Sequence, residues 1–176
     1  MKIENSDTAK ARISPQGQKY LQDLRSTWKL KLYFLKNLPS AWWWGFRVIS
    51  ANLQRTEVAI PYNWRTQNPF NSIYFAALAG AGELSTGILA NLARMSNGDI
   101  SMLVLEQRAE FVKKASSSIT FSCEDGEKVF STVEIAAATG QPQTLTMLGT
   151  GRTETGDVVA RVYITWTFKR RKSAGQ

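Results

Sequence analysis

Residues 68–94 read NPFNSIYFAALAGAGELSTGILANLAR, and the fold is decided by how this stretch is read. Between Arg65 and Arg94 twenty-eight residues pass with Glu83 as the only charged side chain. An ionised carboxylate left unpaired in apolar surroundings is costly, so Glu83 must be paired, hydrogen-bonded, protonated or at work. Asn68-Pro69 reads as a turn, and Asn71 or Ser72 can cap a helix that starts near Ser72. Asn97-Gly98 ends it, with Arg94 in the last turn, where a cation suits the helix dipole. At about 100° per residue, Tyr74, Leu78, Ala81, Ile88 and Leu92 share a bulky face that is expected to bury in a core. Glu83 lies opposite, among Ala76, Ala79, Gly80, Gly87 and Ala90, where small residues let a backbone or a ligand approach closely.

The chain of 176 residues suits one domain, and with 43% hydrophobic residues it can bury a sizeable core. A single cysteine, Cys123, excludes an internal disulfide, and no apolar leader stands in the first twenty residues, so a cytoplasmic location is expected. The sequence contains no histidine, which removes Ser-His and Cys-His nucleophile pairs, histidine metal sites and imidazole acid-base chemistry. Chemistry must then rest on carboxylates, amides, hydroxyls and backbone, with no cofactor and no metal site expected. The run from Ile73 to Ala93 is long enough to span a membrane, but a central acid costs about 2.5 to 3.5 kcal/mol on insertion scales. No transmembrane segment is expected. The net charge of +8 sits at the ends: +5 in residues 1–40, +4 in Lys169 to Lys172, and −1 in the remainder. This pattern reads as solvated faces with weak, salt-sensitive attraction to anionic surfaces, and no specific nucleic-acid partner is expected.

Along the chain, residues 1–13 are polar and expected to be loose. Ser14-Pro15 opens an amphipathic helix with Leu21, Leu24, Trp28, Leu32 and Leu35 on one face, stopped by Leu38-Pro39. Packing on the domain is the plain reading of that helix; a membrane or partner surface is the alternative. Three adjacent indoles, Trp42 to Trp44, cannot all face one core. Strands are expected over residues 46–52, 56–63, 101–112, 118–123, 144–151 and 158–169, the last joined to its predecessor by the Glu154-Thr155-Gly156-Asp157 turn. In the long strand Leu103, Leu105, Gln107, Ala109 and Phe111 alternate against Val104, Glu106, Arg108, Glu110 and Val112. Residues 126–139 fit a strand or a helix; Asp125 as a cap and the Gly140-Gln141-Pro142 stop favour a helix. The fold class is therefore α+β: an antiparallel sheet of about six strands curled around one long apolar helix, with an extra N-terminal helix.

From Trp44 to Phe168 this order resembles the hotdog-fold acyl-CoA thioesterase superfamily, and NPFNSIYFAALAGAGELSTG looks like a thioesterase-like branch of it. Many members carry an Asn-His-x-Gly turn and a His-Gly-Gly helix start, with an acid nine residues beyond that His. Here Asn68 stands at the Asn position, Tyr74-Phe75-Ala76 replaces His-Gly-Gly, and Glu83 lies nine after Tyr74. The resemblance implies a hydrolase of acyl-CoA or another acyl thioester. Glu83 would be the general base or nucleophile, and the Tyr74, Phe75 and Ala76 N–H groups would polarise the carbonyl. It divides the chain into an N-terminal extension (1–40), a hotdog domain (41–170) and a basic tail (171–176).

Asn68 and Gln107 are further candidates for orienting a water or a carbonyl. Asn71 is a candidate ligand contact, and Lys113, Lys114 and Arg152 could meet coenzyme phosphates. Each also has a plain reading, the amides as turn or strand residues and the bases as solvated side chains. A hotdog domain that binds an acyl ligand without turning it over, and a purely structural dimer, are the alternatives to hydrolysis. Tyr74 and Glu83 are roughly 13 Å apart along one helix at 1.5 Å per residue. One carbonyl cannot touch both, so a homodimer or dimer of dimers is expected, paired through residues 101–112 as in hotdog relatives.

Overall fold

The computed structural model describes residues 13–171. Residues 1–12 and 172–176, which include most of the N-terminal segment expected to be loose and Lys172 of the basic tail, lie outside the described residues. The N-terminal region holds three helices in place of the one expected. Helix α1 (Pro15–Arg25) starts on Ser14, whose hydroxyl accepts the Gly17 N–H at 3.1 Å, with Pro15 pre-set at the first helical position. Ser26 then takes an extended conformation, and α2 (Thr27–Asn37) begins after it. That break resets the helical phase. Leu24 stays buried, but Trp28, Leu32 and Leu35 are exposed, while Leu30, Phe34 and Leu38 turn inward. Pro39 opens a short α3 (Pro39–Trp44), closed by Gly45 in the left-handed region at φ 74°. Trp42 and Trp43 remain exposed, whereas Trp44 packs on Phe46 with ring centroids 5.6 Å apart.

Six strands follow: β1 (Arg47–Ala51), β2 (Thr56–Ile60), β3 (Ile100–Phe111), β4 (Ile119–Cys123), β5 (Gln143–Arg152) and β6 (Val158–Arg170). They form one sheet in the order β1-β2-β4-β5-β6-β3, antiparallel throughout. Helix α4 (Phe75–Ser96) lies between β2 and β3 in sequence and packs against β2, β3, β4, β5 and β6. Bulges at Val48/Ser50, Val104/Glu106 and Gly151/Arg152 add local twist, which bends the sheet around this helix. Helix α5 (Gly126–Thr139) packs beside α4 on β5 and β6 and ends at Gly140 in the left-handed region, the expected stop. Asp125 sits at its N-cap position, but its carboxylate accepts the Leu148 N–H at 2.9 Å and pairs with Lys128 at 2.6 Å. This is the hotdog fold: a curled antiparallel sheet around one long apolar helix.

The composition of α4 follows from its place. It is long and apolar enough to cross a membrane, with a mean hydropathy of 1.2, yet twelve of its 22 residues are buried in this protein's own core. Leu78, Ala81, Ile88 and Leu92 are buried as their spacing implies. Tyr74 is not: it is the N-cap, outside the helical phase, and 44% exposed. The helix backbone rides directly on the sheet. A Cβ at Gly149 of β5 would lie 2.8 Å from the Gly82 carbonyl oxygen, which cannot move without shifting the helix. Gly149→Ala is therefore expected to destabilise the fold by about 1–3 kcal/mol, read as a lower urea midpoint with an unchanged slope.

Strand β3 corrects the simple alternation. The bulge adds Leu105, so the face shared with the core-facing residues of β6 is Met102 and Val104 before it and Gln107, Ala109 and Phe111 after it. Leu103 and Leu105 leave that face and are 63% and 56% exposed. Among the described residues β3 pairs only with β6 and forms one edge of the sheet.

Candidate functional site

Seven of the ten residues singled out from sequence gather at the start of α4; Arg152, at the end of β5, donates to the Gly156 carbonyl at 3.0 Å. Asn68 builds the turn before it: its Oδ1 accepts the N–H groups of Phe70 (2.9 Å) and Ser72 (3.2 Å) and the Ser72 hydroxyl (3.2 Å). Asn71 occupies the left-handed region at φ 56°, and its Oδ1 accepts from the Gln67 side chain at 2.9 Å. The Ile73 N–H donates to the Ala115 carbonyl at 2.8 Å, which ties Lys113 and Lys114 to the helix start. Lys113 pairs with Asp157 at 3.0 Å, and the lysine holds that carboxyl below the usual carboxylate range. Lys114 is exposed.

The helix start itself is open. Tyr74 donates its N–H to the Thr66 carbonyl at 2.7 Å, so it is not free for a ligand. No side chain caps the helix, and Phe75 and Ala76, as its first two residues, have no intrahelical acceptor. Their N–H groups point out of the positive end of a 22-residue helix, where a carbonyl oxygen or an anion is stabilised. Aromatic rings flank them: Tyr74 to Phe75 at 4.8 Å and Phe75 to Phe111 of β3 at 6.2 Å. Gln107 stands apart, exposed on the edge strand opposite Ile164.

Glu83 lies two turns into α4, in the wall of a cleft of about 710 Å³ between α4 and the α1–α2 pair. No hydrogen bond or ion pair reaches its carboxylate among the described residues. Burial alone raises its pKa above the ordinary value of 4.5. Its setting is built by neighbours. The Trp166 indole N–H donates to the Thr86 hydroxyl at 3.0 Å, which in turn donates to the Glu83 carbonyl at 2.9 Å. The point where a Gly87 Cβ would stand lies 3.3 Å from Glu83 Oε1 and 3.4 Å from Trp166 Cζ2, so the missing side chain makes room for both. A carboxyl in a half-dry cleft, with its pKa raised by burial, is chemically able to accept a proton or to attack directly. The small-residue stripe thus serves protein contacts as well: Gly80 likewise admits Trp44, 3.2 Å from its would-be Cβ.

Sequence reasoning missed the rest of the cleft, which includes Tyr20 on α1, Leu30, Tyr33 and Phe34 on α2, Asn91 on α4, Met102 on β3 and Trp166 on β6. Asn91 could have been found, since it lies eight residues beyond Glu83 on the same helix face. Leu30 and Phe34 could not, because their inward direction depends on the break at Ser26. Cys123 is buried, with its thiol pushed up to about 12, and offers no nucleophile.

The chain is a member of the DUF4442 family, a domain of unknown function, which matches residues 27–168. Solved structures of similar fold include a protein of unknown function from Chlorobaculum tepidum, with TM-score 0.70, 13% identity, and coverage of 92% of this chain and 99% of that one. A thioesterase from Haemophilus influenzae gives TM-score 0.61 at 12% identity, covering 86% of this chain and 95% of that one. A mutant thioesterase from Staphylococcus aureus gives 0.54 at 14%, covering 72% and 94%. At these identities the likeness is one of fold. No curated protein matches the chain by sequence.

Proposed function

We propose that this protein is an acyl-thioester hydrolase, with acyl-CoA as its substrate class, working as a homodimer with a site shared between copies. The observation that carries this reading is Glu83, an unpaired carboxyl raised by burial in the wall of a cleft, on the central helix of a fold that thioesterases also use. The Phe75 and Ala76 N–H groups of one copy hold the thioester oxygen as negative charge develops on it. Glu83 of the other copy either removes a proton from the attacking water or attacks the carbonyl carbon itself. Asn68 and Asn71 hold the turn that aims the amides. Lys113 and Lys114, beside the helix start, meet coenzyme phosphates; the exposed Lys113–Asp157 pair is weak enough to exchange for them. Gln107, on the core-facing side of the edge strand, orients the carbonyl or the water near the partner.

Acyl-ligand binding without turnover is the second reading, favoured by the side chains of Phe75 and Ala76 at the positions where the His-Gly-Gly motif of the resemblance carries glycine, and by Tyr74 at its histidine. Continuous release of free thiol from a panel of acyl-CoAs separates the two. Turnover above the uncatalysed rate supports the hydrolase, and saturable binding with no thiol release replaces it with the binding module.

A further inference from the structure

We infer that the cleft beneath α1 and α2 is an acyl-chain compartment, so that the ligand of this protein is a medium- to long-chain, unbranched aliphatic acyl group. The inference rests on the reading of Glu83 as the residue nearest the thioester. Along α4 the wall runs from Glu83 through Leu84, Gly87 and Ile88 to Asn91. The eight helical steps from Glu83 to Asn91 measure about 12 Å, the reach of an extended alkyl chain of on the order of ten carbons. Across from them the inner wall is apolar, made by Leu24, Leu30, Phe34 and Leu38, while the Lys29–Asp23 pair, Lys19, Tyr33 and Asn37 also line the cleft and remain open to solvent. Polar groups stand at the two ends of that stretch. Glu83 is at one, and at the other stand the Tyr20 hydroxyl and Asn91, whose Oδ1 accepts from Arg94 Nε at 2.9 Å. Burial pushes the Tyr20 hydroxyl up to about 12, so it stays neutral.

A slot with an apolar inner wall, Glu83 at its head, a neutral polar group at its foot and charged side chains only on its solvent-exposed side fits a chain whose reactive carbonyl stays at Glu83. A short acyl group would leave the slot filled with water, and a charged or bulky polar one would lose its hydration against leucines and phenylalanine. Helix α1, which supplies Tyr20 and Leu24, precedes the region that the family matches, so this end of the compartment belongs to the N-terminal extension.

The test uses S-alkyl-coenzyme A thioethers, which cannot be hydrolysed, from ethyl to hexadecyl, bound to the full chain and followed by calorimetry. Affinity is expected to rise about fourfold for each methylene that leaves water, then to level off once the slot is full. Leu30→Trp shortens the slot and moves the plateau to shorter chains; Tyr20→Ala opens its foot and moves the plateau to longer ones. Equal affinity for ethyl and decyl thioethers overturns the inference, as does a plateau that neither variant moves while both fold by circular dichroism. Thiol release at every chain length with no length dependence in binding would leave the hydrolase standing and remove the compartment. Graded binding with no thiol release from the matching thioesters would do the reverse.

Discussion

Glu83→Gln is expected to lower acyl-thioester hydrolysis by about 10²–10⁴-fold, the usual contribution of a positioned acid-base group, while making the folded chain more stable at neutral pH. Both effects have one cause. Burial favours the protonated form of Glu83, so the folded state holds this proton more tightly than the unfolded chain does. Its contribution to stability is full below the ordinary value of 4.5 and falls as pH rises towards the higher folded value, above which the cost of the buried charge is complete. Glutamine keeps the shape without the charge. The variant should therefore melt above the wild type at pH 7 to 8, and the gap should close as pH is lowered through the carboxylate range. In the wild type, the rate should rise with pH along a limb centred above the ordinary carboxylate value, because only the ionised form is a base. Scanning calorimetry from pH 4 to 8, beside a pH–rate profile, checks both. Undiminished hydrolysis by a folded Glu83→Gln protein removes the catalytic role, and a melting gap independent of pH removes the buried charge.

The parts of this protein that were legible from sequence are those governed by local period and by strong stop signals. The end of α4 follows from Asn97, but its start falls at Phe75 behind Tyr74 and not near Ser72, because Asn71 and Ser72 are spent on the preceding turn and cap nothing; the helical reading of residues 126–139 follows from Gly140, which takes the left-handed conformation that a helix end requires. What was not legible depends on single residues that reset a phase. Ser26 breaks a continuous leucine pattern and reverses which of its members face inward. The bulge at Leu105 moves Leu103 and Leu105 off the core side of β3. Neither position carries a glycine or proline to announce it, because tertiary packing makes the choice. Glu83 could be found because it contradicts its surroundings, whereas the cleft beside it could not, because its far wall comes from a helix some sixty residues earlier in the chain.

Mixing two inactive variants is expected to restore activity, because the helix start and the acid of one site come from different copies. Within one chain Phe75 and Glu83 are separated by about 12 Å of helix at 1.5 Å per residue, too far to hold the same carbonyl. The edge strand supplies the means of bringing two chains together: β3 has an unpaired side, with Leu103 and Leu105 exposed along it and Phe111 and Val112 exposed at its end. Phe75→Pro removes one of the open N–H groups with little disturbance. Proline is favoured at the first helical position, and Tyr74 before it already has the extended conformation that proline demands, at φ −61° and ψ 133°. Phe75→Ala, which keeps the N–H, controls for the lost ring. Losing one donor to a developing oxyanion costs about 10²–10³-fold, so Phe75→Pro and Glu83→Gln should each be nearly silent alone. Unfolded and refolded together in equal amounts, half of the dimers are mixed, and each mixed dimer has one site with both groups intact. Recovery of about a quarter of wild-type activity follows from that symmetry. A mixture as silent as its parents would place both groups of a site in one chain. A species at the 19.7 kDa chain mass by light scattering, with activity retained, would remove the shared site. Equal activity of Phe75→Pro and Phe75→Ala would show that the helix-start amide is not used, whatever the state of assembly.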